Sequence, residues 1–440
     1  MIKKITITKL FGRFDYHLEF RSEGIMIITG PNGYGKSTIL RMLDSFCNND
    51  IKGLLQYSFK SFVITCTKNQ IKIYKYAKTF KINESSFEYP HENWEDEDYS
   101  FYMRRLKTRY HDYIHSFLNN IKHSIYDNYG WDKDDIFFVN LLLEYGVDSS
   151  AKQSKKILTD LETVYREINE IREEIGKVRF IKEQRLIEII KPTEERTDKK
   201  EEKYINVINS NSDSLKSIIA DIMKKHSSLS SELDSTYIKR LFDSKRVNSD
   251  TSKVLSELSS LLEKQEKLTK YGLAEIKNVS YIISKLDIDK LNNYSTELSI
   301  YLQDANAKYK VFEPLINKLE LYEKIVNKKL EFKRMVLSSS NGIEVISEEG
   351  NKLSLTDLSS GEQEILVLFY KLIFESDVNL LLIDEPEISL HIAWQKEIMK
   401  DMKNVLELNK NFQLIIATHS PQIISHNWDL QVDLGRQYNG

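Results

Sequence analysis

The sequence has few cysteines and no long run of apolar residues. Only two cysteines occur in 440 residues, Cys47 and Cys66, and no metal-ligand spacing surrounds them. This argues against a cysteine-based metal site and indicates a reducing, cytoplasmic environment. No stretch reaches the ~18 consecutive apolar residues of a membrane span, so we expect no membrane partner. The first residues lack the apolar core of a signal peptide and are typical of a strand.

An excess of charge of either sign is also missing. The formal net charge is −3, from 63 Lys and Arg against 66 Asp and Glu. A dedicated DNA-binding protein usually has a basic excess, so contact with DNA or RNA is left open and would need a local basic face. The 41% hydrophobic and 29% charged residues indicate a soluble globular protein with an unusually polar part.

The patterning of apolar residues divides the chain into three sections, residues 1–130, 131–330 and 331–440. In the first, Phe14, Tyr16, Leu18 and Phe20 alternate with polar residues, which predicts a half-buried strand. A short apolar run over residues 25–28 then leads into a glycine cluster and a helix-like stretch. We interpret this section as α/β.

The middle section has a different texture, with charged residues between regularly spaced apolar ones. The first repeat comprises Ile157, Leu161, Val164, Ile168, Ile171, Ile175 and Val178. Spacings of four and three predict a coiled-coil seam, with an ordinary helical bundle as the alternative. Similar spacing returns over residues 255–262 and 312–326, while Pro192 and the charged run 193–203 interrupt it. Either way we expect a helical insertion.

The last section returns to the α/β texture. Apolar runs at 380–383 and 412–417 alternate with helix-like segments at 362–375 and 392–406. Buried parallel strands between helices have this appearance. The sequence therefore predicts one α/β domain with a mostly parallel sheet, interrupted by a helical or coiled-coil insertion.

A phosphate-binding motif follows the first apolar strand and opens a helix. The segment that contains the complete pattern G-x-x-x-x-G-K-[ST] comprises Gly30, Pro31, Asn32, Gly33, Tyr34, Gly35, Lys36 and Ser37, followed by Thr38. Glycines let backbone N–H groups point at an anion beside a helix N-terminus. We expect Lys36 to reach the β- and γ-phosphates, Ser37 to bind Mg²⁺ and Thr38 to contact the α-phosphate side.

A second motif ends the apolar run of residues 380–386, LLLIDEP. Asp384 is suited to hold Mg²⁺ through water, and Glu385 to accept a proton from the attacking water. Acidic pairs at strand ends are often plain surface, but the phosphate loop earlier in the chain favours the catalytic interpretation.

Two further motifs complete the set. In residues 358–363, LSSGEQ, the candidates are Ser359, Ser360, Gly361 and Glu362. Alone they would be an ordinary helix N-cap with a following Glu, yet their position relative to the other motifs favours phosphate binding at a helix N-terminus. His419 follows the last apolar run, where parallel sheets bind ligands. We expect it to sense the γ-phosphate; the alternative is a structural capping His.

In this order, GPNGYGKST, LSSGEQ, LLLIDEPEISLH and IIATHSPQII resemble the ABC-type ATPases of the SMC/OLD lineage, and most of all its OLD-like branch. The resemblance covers residues 1–130 and 330–440. It implies a P-loop NTPase head that uses ATP and Mg²⁺ and closes as a head-to-tail dimer. Ser359 and Gly361 would act in trans on ATP held by the partner's Lys36, and a D-loop comprising Ser389 to His391 would cross the interface.

One element of the family pattern has no clear counterpart. The resemblance implies a Q-loop glutamine that links Mg²⁺ to the helical part, and the candidates are Gln70, in a strand-like hairpin, and Gln56. Neither matches well. The route from the nucleotide to the helical section is therefore unassigned by sequence.

The resemblance also suggests a biological role. OLD nucleases carry a Toprim domain after the switch histidine, whereas only residues 422–440 follow Pro421 here, so we expect an ATPase without its own nuclease. Such proteins resemble the ATPases of antiphage systems, such as PtuA of Septu and AriA of PARIS. We expect dimers and higher oligomers that control a separately encoded HNH or Toprim nuclease in response to a phage-derived trigger.

The alternative role is an SMC-like ATPase for DNA repair or tethering. Its arms are usually far longer and often end in a cysteine hook or a hinge, and no hook cysteines occur here. The ATPase subunit of a membrane transporter is disfavoured, because the insertion between the first and third motifs is far too long.

Overall fold

The computed structural model describes residues 1–21, 24–77, 79–88, 151–190, 203–243, 251–274, 294–375, 378–408 and 412–439. The chain divides into two compact units. The first unit comprises Met1–Glu183, Asp377–Glu387 and Asn411–Gly440, and the second comprises Gln184–Ser376 and Ile388–Lys410. Each unit is therefore assembled from segments that are distant in sequence.

The described residues form the following elements. The strands are β1 (Ile2–Leu10), β2 (Phe14–Glu19), β3 (Ile25–Thr29), β4 (Ser61–Cys66), β5 (Gln70–Lys75), β6 (Thr79–Ile82), β7 (Ser85–Glu88), β8 (Val178–Ile181), β9 (Ile187–Ile190), β10 (Lys203–Asn206), β11 (Lys333–Ser338), β12 (Gly342–Ser347), β13 (Lys352–Leu353), β14 (Leu380–Asp384), β15 (Gln413–Ala417) and β16 (Gln431–Asp433). The helices are α1 (Lys36–Cys47), α2 (Ile51–Gln56), α3 (Ala151–Ile175), α4 (Val207–Asp243), α5 (Thr251–Lys270), α6 (Ser295–Asn327), α7 (Ser360–Phe374), α8 (Ile392–Leu408), α9 (Pro421–Ile424) and α10 (Leu434–Asn439).

A parallel sheet in the order β16-β3-β15-β14-β8 forms the centre of the first unit. Every residue of β3, β14 and β15 is buried, which is why these strands read as continuous apolar runs rather than alternating ones. Asp384 pairs with Ala417, and Ala417 pairs with Ile28. The carboxyl ends of three neighbouring strands are thus level, and the loops that carry three of the four motifs leave from this edge.

An antiparallel sheet in the order β2-β1-β4-β5-β6-β7 shares the hydrophobic core of the first unit. The alternation in β2 is observed, with Phe14, Tyr16 and Leu18 buried, although the strand ends at Glu19. The buried amide of Gln413 links the two sheets, because its Oε1 accepts from Ile2 N at 2.8 Å and its Nε2 donates to Ile2 O at 2.9 Å. The α/β prediction with a mostly parallel sheet is confirmed.

The coiled-coil prediction is wrong for the described part of α3. Val164, Ile168, Ile171 and Ile175 are buried in the core that includes the antiparallel sheet. After Ile175 the chain turns, and Val178 begins β8 beside β14 rather than continuing a helix. An amphipathic helix on a sheet and a helix in a coiled coil share nearly the same apolar spacing, so the pattern alone does not identify the surface that it covers.

The second unit is mainly helical. Helix α6 packs against α4, α5 and α7, so the helical-bundle alternative describes these segments better than a two-stranded coiled coil. Buried ion pairs join its parts, between Lys329 and Asp401 and between Arg185 and Glu364. The interruption expected at 192–202 lies outside the described residues. Among the helices of the described ranges, none has both the length and the apolar character that a membrane span requires.

Candidate functional site

The loop between β3 and α1 ends at a helix N-terminus whose backbone N–H groups donate no hydrogen bond to a capping side chain. Gly33 and Gly35 have φ of 82° and 87°, a backbone region that favours glycine. A Cβ on Gly35 would also lie 2.7 Å from Leu10 Cδ2. No side chain caps α1 at its N-terminus, and Pro31, Asn32 and Gly33 are exposed. The first turn therefore offers an anion site with a partial positive charge.

Lys36 lies at the start of α1 with its ammonium over the same loop. Its Nζ donates to Gly30 O at 3.0 Å and to Pro31 O at 3.3 Å, and it lies 3.4 Å from His419 Nδ1. Burial lowers the pKa of Lys36, while nearby carboxylates oppose that shift. An anionic ligand would stabilise the charged form of Lys36, because a nearby negative charge compensates for the hydration that burial removes.

Tyr34 differs from its neighbours in the loop because its ring points into an aromatic cluster. The ring centroid is 5.0 Å from that of Phe14 and 5.9 Å from that of Tyr438. Tyr16 Oη donates to the Tyr34 carbonyl at 2.8 Å. These contacts anchor the loop to β2 and to α10. Thr38 follows on α1 and is half-buried.

Ser37 and Asp384 come together from α1 and β14. Ser37 Oγ donates to Asp384 Oδ1 at 3.0 Å, and Asp384 is only 1% exposed. Burial raises the pKa of Asp384 to about 6; the Ser37 hydrogen bond lowers it, the charges of Glu183 and Glu385 raise it further, and Arg41 lowers it. Hydroxyl and carboxylate oxygens are the protein ligands of Mg²⁺ at phosphate sites, and a buried carboxylate among anionic neighbours is suited to a divalent cation.

We expect Asp384→Asn to stabilise the fold at neutral pH when no divalent cation is present. Since the pKa of the folded carboxyl is raised from 3.8 to about 6, its ionisation opposes folding above pH ~6, and this penalty is lost as the pH falls toward ~4. The gain should be on the order of 2 kcal/mol at pH 8 and shrink below pH 6. Urea unfolding with EDTA measures it, with exposed Asp429→Asn as the matched control. An equal gain at pH 8 and pH 4.5 would contradict the assignment.

Arg41 and Glu183 are neighbours of this site that the motifs did not identify. Arg41 Nη2 donates to Glu183 Oε1 at 3.2 Å. Glu183 follows β8, which pairs with β14. None of the sequence motifs indicates this pairing. A short run, VRFI, was the only available signal, and four residues are too few to separate a strand from a helix end.

The glutamine candidates from the sequence lie elsewhere in the first unit. Gln70 begins β5 of the antiparallel sheet and its Nε2 donates to Thr65 Oγ1 at 2.7 Å, while Gln56 ends α2. Neither belongs to the parallel sheet. Gln184 directly follows Glu183 in the chain, after the strand that pairs with β14.

Glu385 and His419 face each other at the ends of β14 and β15. Glu385 has a φ of 45°, and its N donates to Ala417 O at 2.9 Å. His419 Nε2 lies 3.6 Å from Glu385 Oε1. Because an ammonium group only donates, the contact with Lys36 requires that Nδ1 of His419 accepts, which leaves the ring proton on Nε2 toward Glu385. A cation, an imidazole and a carboxylate thus form a continuous row.

The LSSGEQ residues belong to the second unit. Ser359 is the N-cap of α7 in a complete capping box with Glu362. Glu362 Oε2 accepts from Ser359 N at 3.0 Å, and Lys333 Nζ lies 3.0 Å from Glu362 Oε1. Burial raises the pKa of Glu362, but hydrogen bonds from Lys333 and Ser359 outweigh it, so the net shift is downward. Ser359 and Ser360 are exposed at this helix tip.

Gly361 lies against the segment expected to be the D-loop. A Cβ at Gly361 would approach Ser389 O to 2.6 Å, so only glycine fits without displacing the backbone. Ser389 itself has a φ of 62°. His391 is exposed and its Nδ1 accepts from Ala393 N at 3.3 Å. The structure therefore brings Gly361 and Ser389 together within the second unit.

Comparison with known proteins gives a family match and several distant relatives. The family model described as AAA ATPase domain, AAA_15, matches residues 1–424. The chain is 28% identical to the Retron Ec83 probable ATPase of Escherichia coli over 202 residues, which are 42% of this chain and 35% of that protein. It is 28% identical over 92 residues to the Retron Vc95 probable ATPase of Vibrio cholerae serotype O1 biovar El Tor, 18% of this chain and 17% of that protein. The matched parts thus span about a third or less of these relatives.

Solved structures that are similar include two SMC head domains. One is the Smc head domain with an extended coiled coil bound to the C-terminal domain of ScpA, derived from Pyrococcus furiosus, with a TM-score of 0.37, 14% identity, and coverage of 96% of this chain and 91% of that one. The other is the SMC head domain from Thermotoga maritima, with a TM-score of 0.36, 11% identity, and coverage of 98% and 94%.

The family match includes all four sequence motifs and most of the chain. Residues 30–38, 358–363, 380–386 and 418–421 all fall inside the matched range 1–424. On this basis the chain belongs to the AAA ATPase domain family.

Proposed function

We propose that the protein binds ATP with Mg²⁺ at the carboxyl edge of the parallel sheet and hydrolyses it to ADP and phosphate. The observation that carries this proposal is the convergence of one ammonium, one hydroxyl and two carboxylates on the phosphate loop. These groups come from α1 and from the end of β14, with Ser37 Oγ 3.0 Å from Asp384 Oδ1. A phosphate site with a cation, metal ligands and a base has the parts that phosphoryl transfer to water requires.

Each group has a role that its chemistry supports. The N–H groups of the loop and the Lys36 ammonium hold the β- and γ-phosphates, and Thr38 lies on the α-phosphate side. Ser37 and Asp384, whose side chains are hydrogen-bonded to each other, would hold Mg²⁺. The bound cation neutralises phosphate charge when present. Glu385 accepts the proton of the attacking water, and His419, between Lys36 and Glu385, senses the γ-phosphate.

Gln184 is our assignment for the Q-loop glutamine. It follows the strand beside β14, at the edge of the sheet where the metal ligands lie. It is also the first residue of the second unit. This assignment replaces Gln70 and Gln56.

Two copies then form the complete active sites. The exposed tip at Ser359 and Ser360, with the N-terminus of α7 behind it, is suited to bind a γ-phosphate. Glu362 keeps this tip in shape through the capping box. By resemblance, the ATP that it contacts is the partner's, and Ser389 and His391 lie at the same interface.

Trans complementation tests this arrangement. Ser359→Arg and Lys36→Ala should each lack ATPase activity, the first without weaker ATP binding by the monomer. In a 1:1 mixture, half of the dimers are mixed and each has one intact composite site, so about a quarter of wild-type activity should return in a two-fold dimer. The control is a mixture of Lys36→Ala with Lys36→Ala/Ser359→Arg, which should stay inactive. No recovery in the first mixture would contradict the shared site.

For the biological role we propose an antiphage ATPase that controls a separately encoded nuclease. The similarity to proteins named as probable ATPases of retrons supports a defence role. The HNH or Toprim type of nuclease, the phage-derived trigger and oligomers above the dimer rest on the sequence resemblance. Expression of the native operon, copurification and phage plating test the proposal. An operon without an associated nuclease, together with unchanged plating and DNA-stimulated hydrolysis, would favour the SMC-like repair role instead.

A further inference from the structure

Glu387 has a carboxylate to which the proposed reaction gives no role. It follows Asp384, Glu385 and Pro386 in the loop after β14 and is half-buried. Its Oε1 accepts three hydrogen bonds from consecutive residues of the loop after β15. The donors are Thr418 Oγ1 at 2.6 Å, His419 N at 2.8 Å and Ser420 N at 3.0 Å.

The parallel pairing of β14 and β15 explains why one oxygen reaches three donors. Asp384 and Ala417 are in register, so the two loops leave the sheet side by side. Thr418 is fully buried, its N donates to Ile28 O at 3.1 Å, and its Oγ1 also accepts from Ser420 N at 2.9 Å. The main chain on both sides of His419 is therefore held, at Thr418 by β3 and Glu387 and at Ser420 by Glu387 and Thr418.

We propose that Glu387 is a positioning residue that keeps His419 aligned with Lys36 and Glu385. This inference rests on the proposed ATPase function and deepens it. The His419 side chain contacts Lys36 Nζ at 3.4 Å and lies 3.6 Å from Glu385 Oε1, while its backbone N–H is bound by Glu387. Hydrogen bonds to a carboxylate are about twice as strong as neutral ones. The loop after β14 thus supplies both the base and the acceptor that orients the phosphate-sensing histidine.

Hydrogen exchange and steady-state kinetics on the full chain test the proposal together. In Glu387→Ala the amide of His419 loses its acceptor, and the amide of Ser420 loses one of its two acceptors and keeps Thr418 Oγ1. A peptide that covers residues 416–425 should therefore exchange faster, mainly at His419 and less at Ser420. A misplaced catalytic group lowers the rate by about 100-fold. We therefore expect kcat to fall by about 100-fold, while KM and the affinity for ATP stay within about threefold of the wild-type values. Glu387→Gln keeps one carbonyl acceptor and should lie between Ala and wild type in both measurements.

Two matched controls separate this role from a general effect of losing a carboxylate. Glu385→Gln alters the acidic residue two positions before Glu387, whose carboxylate does not bind the amides of His419 and Ser420, and should leave exchange in the 416–425 peptide unchanged. Glu407→Gln alters an exposed glutamate on α8 and should leave both kcat and exchange unchanged. Equal exchange in Glu387→Ala and wild type, or a normal kcat with fast exchange, would overturn the proposal.

A second variant covers the case in which Glu387→Ala does not fold. Thr418→Val removes one donor to Glu387 and one of the two acceptors of Ser420 N, with little change in shape. It should raise exchange at Ser420 and lower kcat less than Glu387→Ala, and unaltered exchange and kcat would again overturn the proposal. If the wild-type chain did not hydrolyse ATP, the proposed function would fail, but the exchange comparison would still report whether Glu387 holds the loop.

Discussion

Lys36→Met is expected to abolish ATP binding at concentrations where the wild-type chain is saturated. Removal of one member of a buried, hydrogen-bonded charge pair weakens binding by about 100-fold or more in Kd. The β- and γ-phosphates would lose their main cation, since Lys36 Nζ is the ammonium that lies over the loop at 3.0 Å from Gly30 O. Titration calorimetry with ATP and Mg²⁺ measures the effect directly.

The fold itself should tolerate this change. Burial lowers the pKa of Lys36, so its charge opposes folding, and Met fills a similar volume without a charge. We expect an unchanged or slightly higher melting temperature without ATP, and the loss of the rise that ATP causes in the wild type. Lys396→Met, at an exposed position of α8, is the matched control. Wild-type affinity in Lys36→Met would disprove the assignment of the phosphate loop.

Glu385→Gln is expected to bind ATP normally and to hydrolyse it at a rate lower by about 10²- to 10⁴-fold, the contribution of a positioned general base. The amide keeps the shape of the side chain but does not accept the proton of the attacking water. Because hydrolysis no longer opens the assembly, ATP-loaded dimers should accumulate. Rapid-quench kinetics measures the first effect, and light scattering after size exclusion with ATP and Mg²⁺ measures the second.

The double variant Glu385→Gln/Ser359→Arg tests whether the dimers form through the helix tip at Ser359. If dimers form through the Ser359 tip, the second substitution should return the protein to the monomer while ATP remains bound. Dimers that persist in the double variant would show that another surface holds the two copies together. Turnover of Glu385→Gln at the wild-type rate would exclude Glu385 as the base.

Much of the first unit could be predicted from the sequence because its signals are local. The buried strands β3, β14 and β15 are continuous apolar runs, and β2 alternates. The phosphate loop is a complete motif, and its strand and helix are where the motif requires them. The proximity of Ser37 to Asp384 also follows, since parallel strands bring their carboxyl ends to one edge.

Other parts could not be predicted because their partners are distant in sequence. The apolar stripe of α3 fits a coiled coil and a sheet equally well, and only the packing against the antiparallel sheet decides between them. Strand β8 is too short to recognise, so Glu183 and Gln184 were missed with it. Glu387 lies inside a recognised motif, yet its role depends on three donors about thirty residues further along the chain.

The sequence by itself determined the ATPase family and the residues to which we assign its chemistry, because a glycine loop, a lysine and paired acidic residues at strand ends are recognised by their identity and local spacing. Only the tertiary structure decided which surfaces the helices cover, which strand borders β14, and which acceptor holds the loop of His419. These choices depend on contacts between segments that are distant in sequence. A periodic pattern shows that one face of an element is buried, but it does not show which segment covers that face.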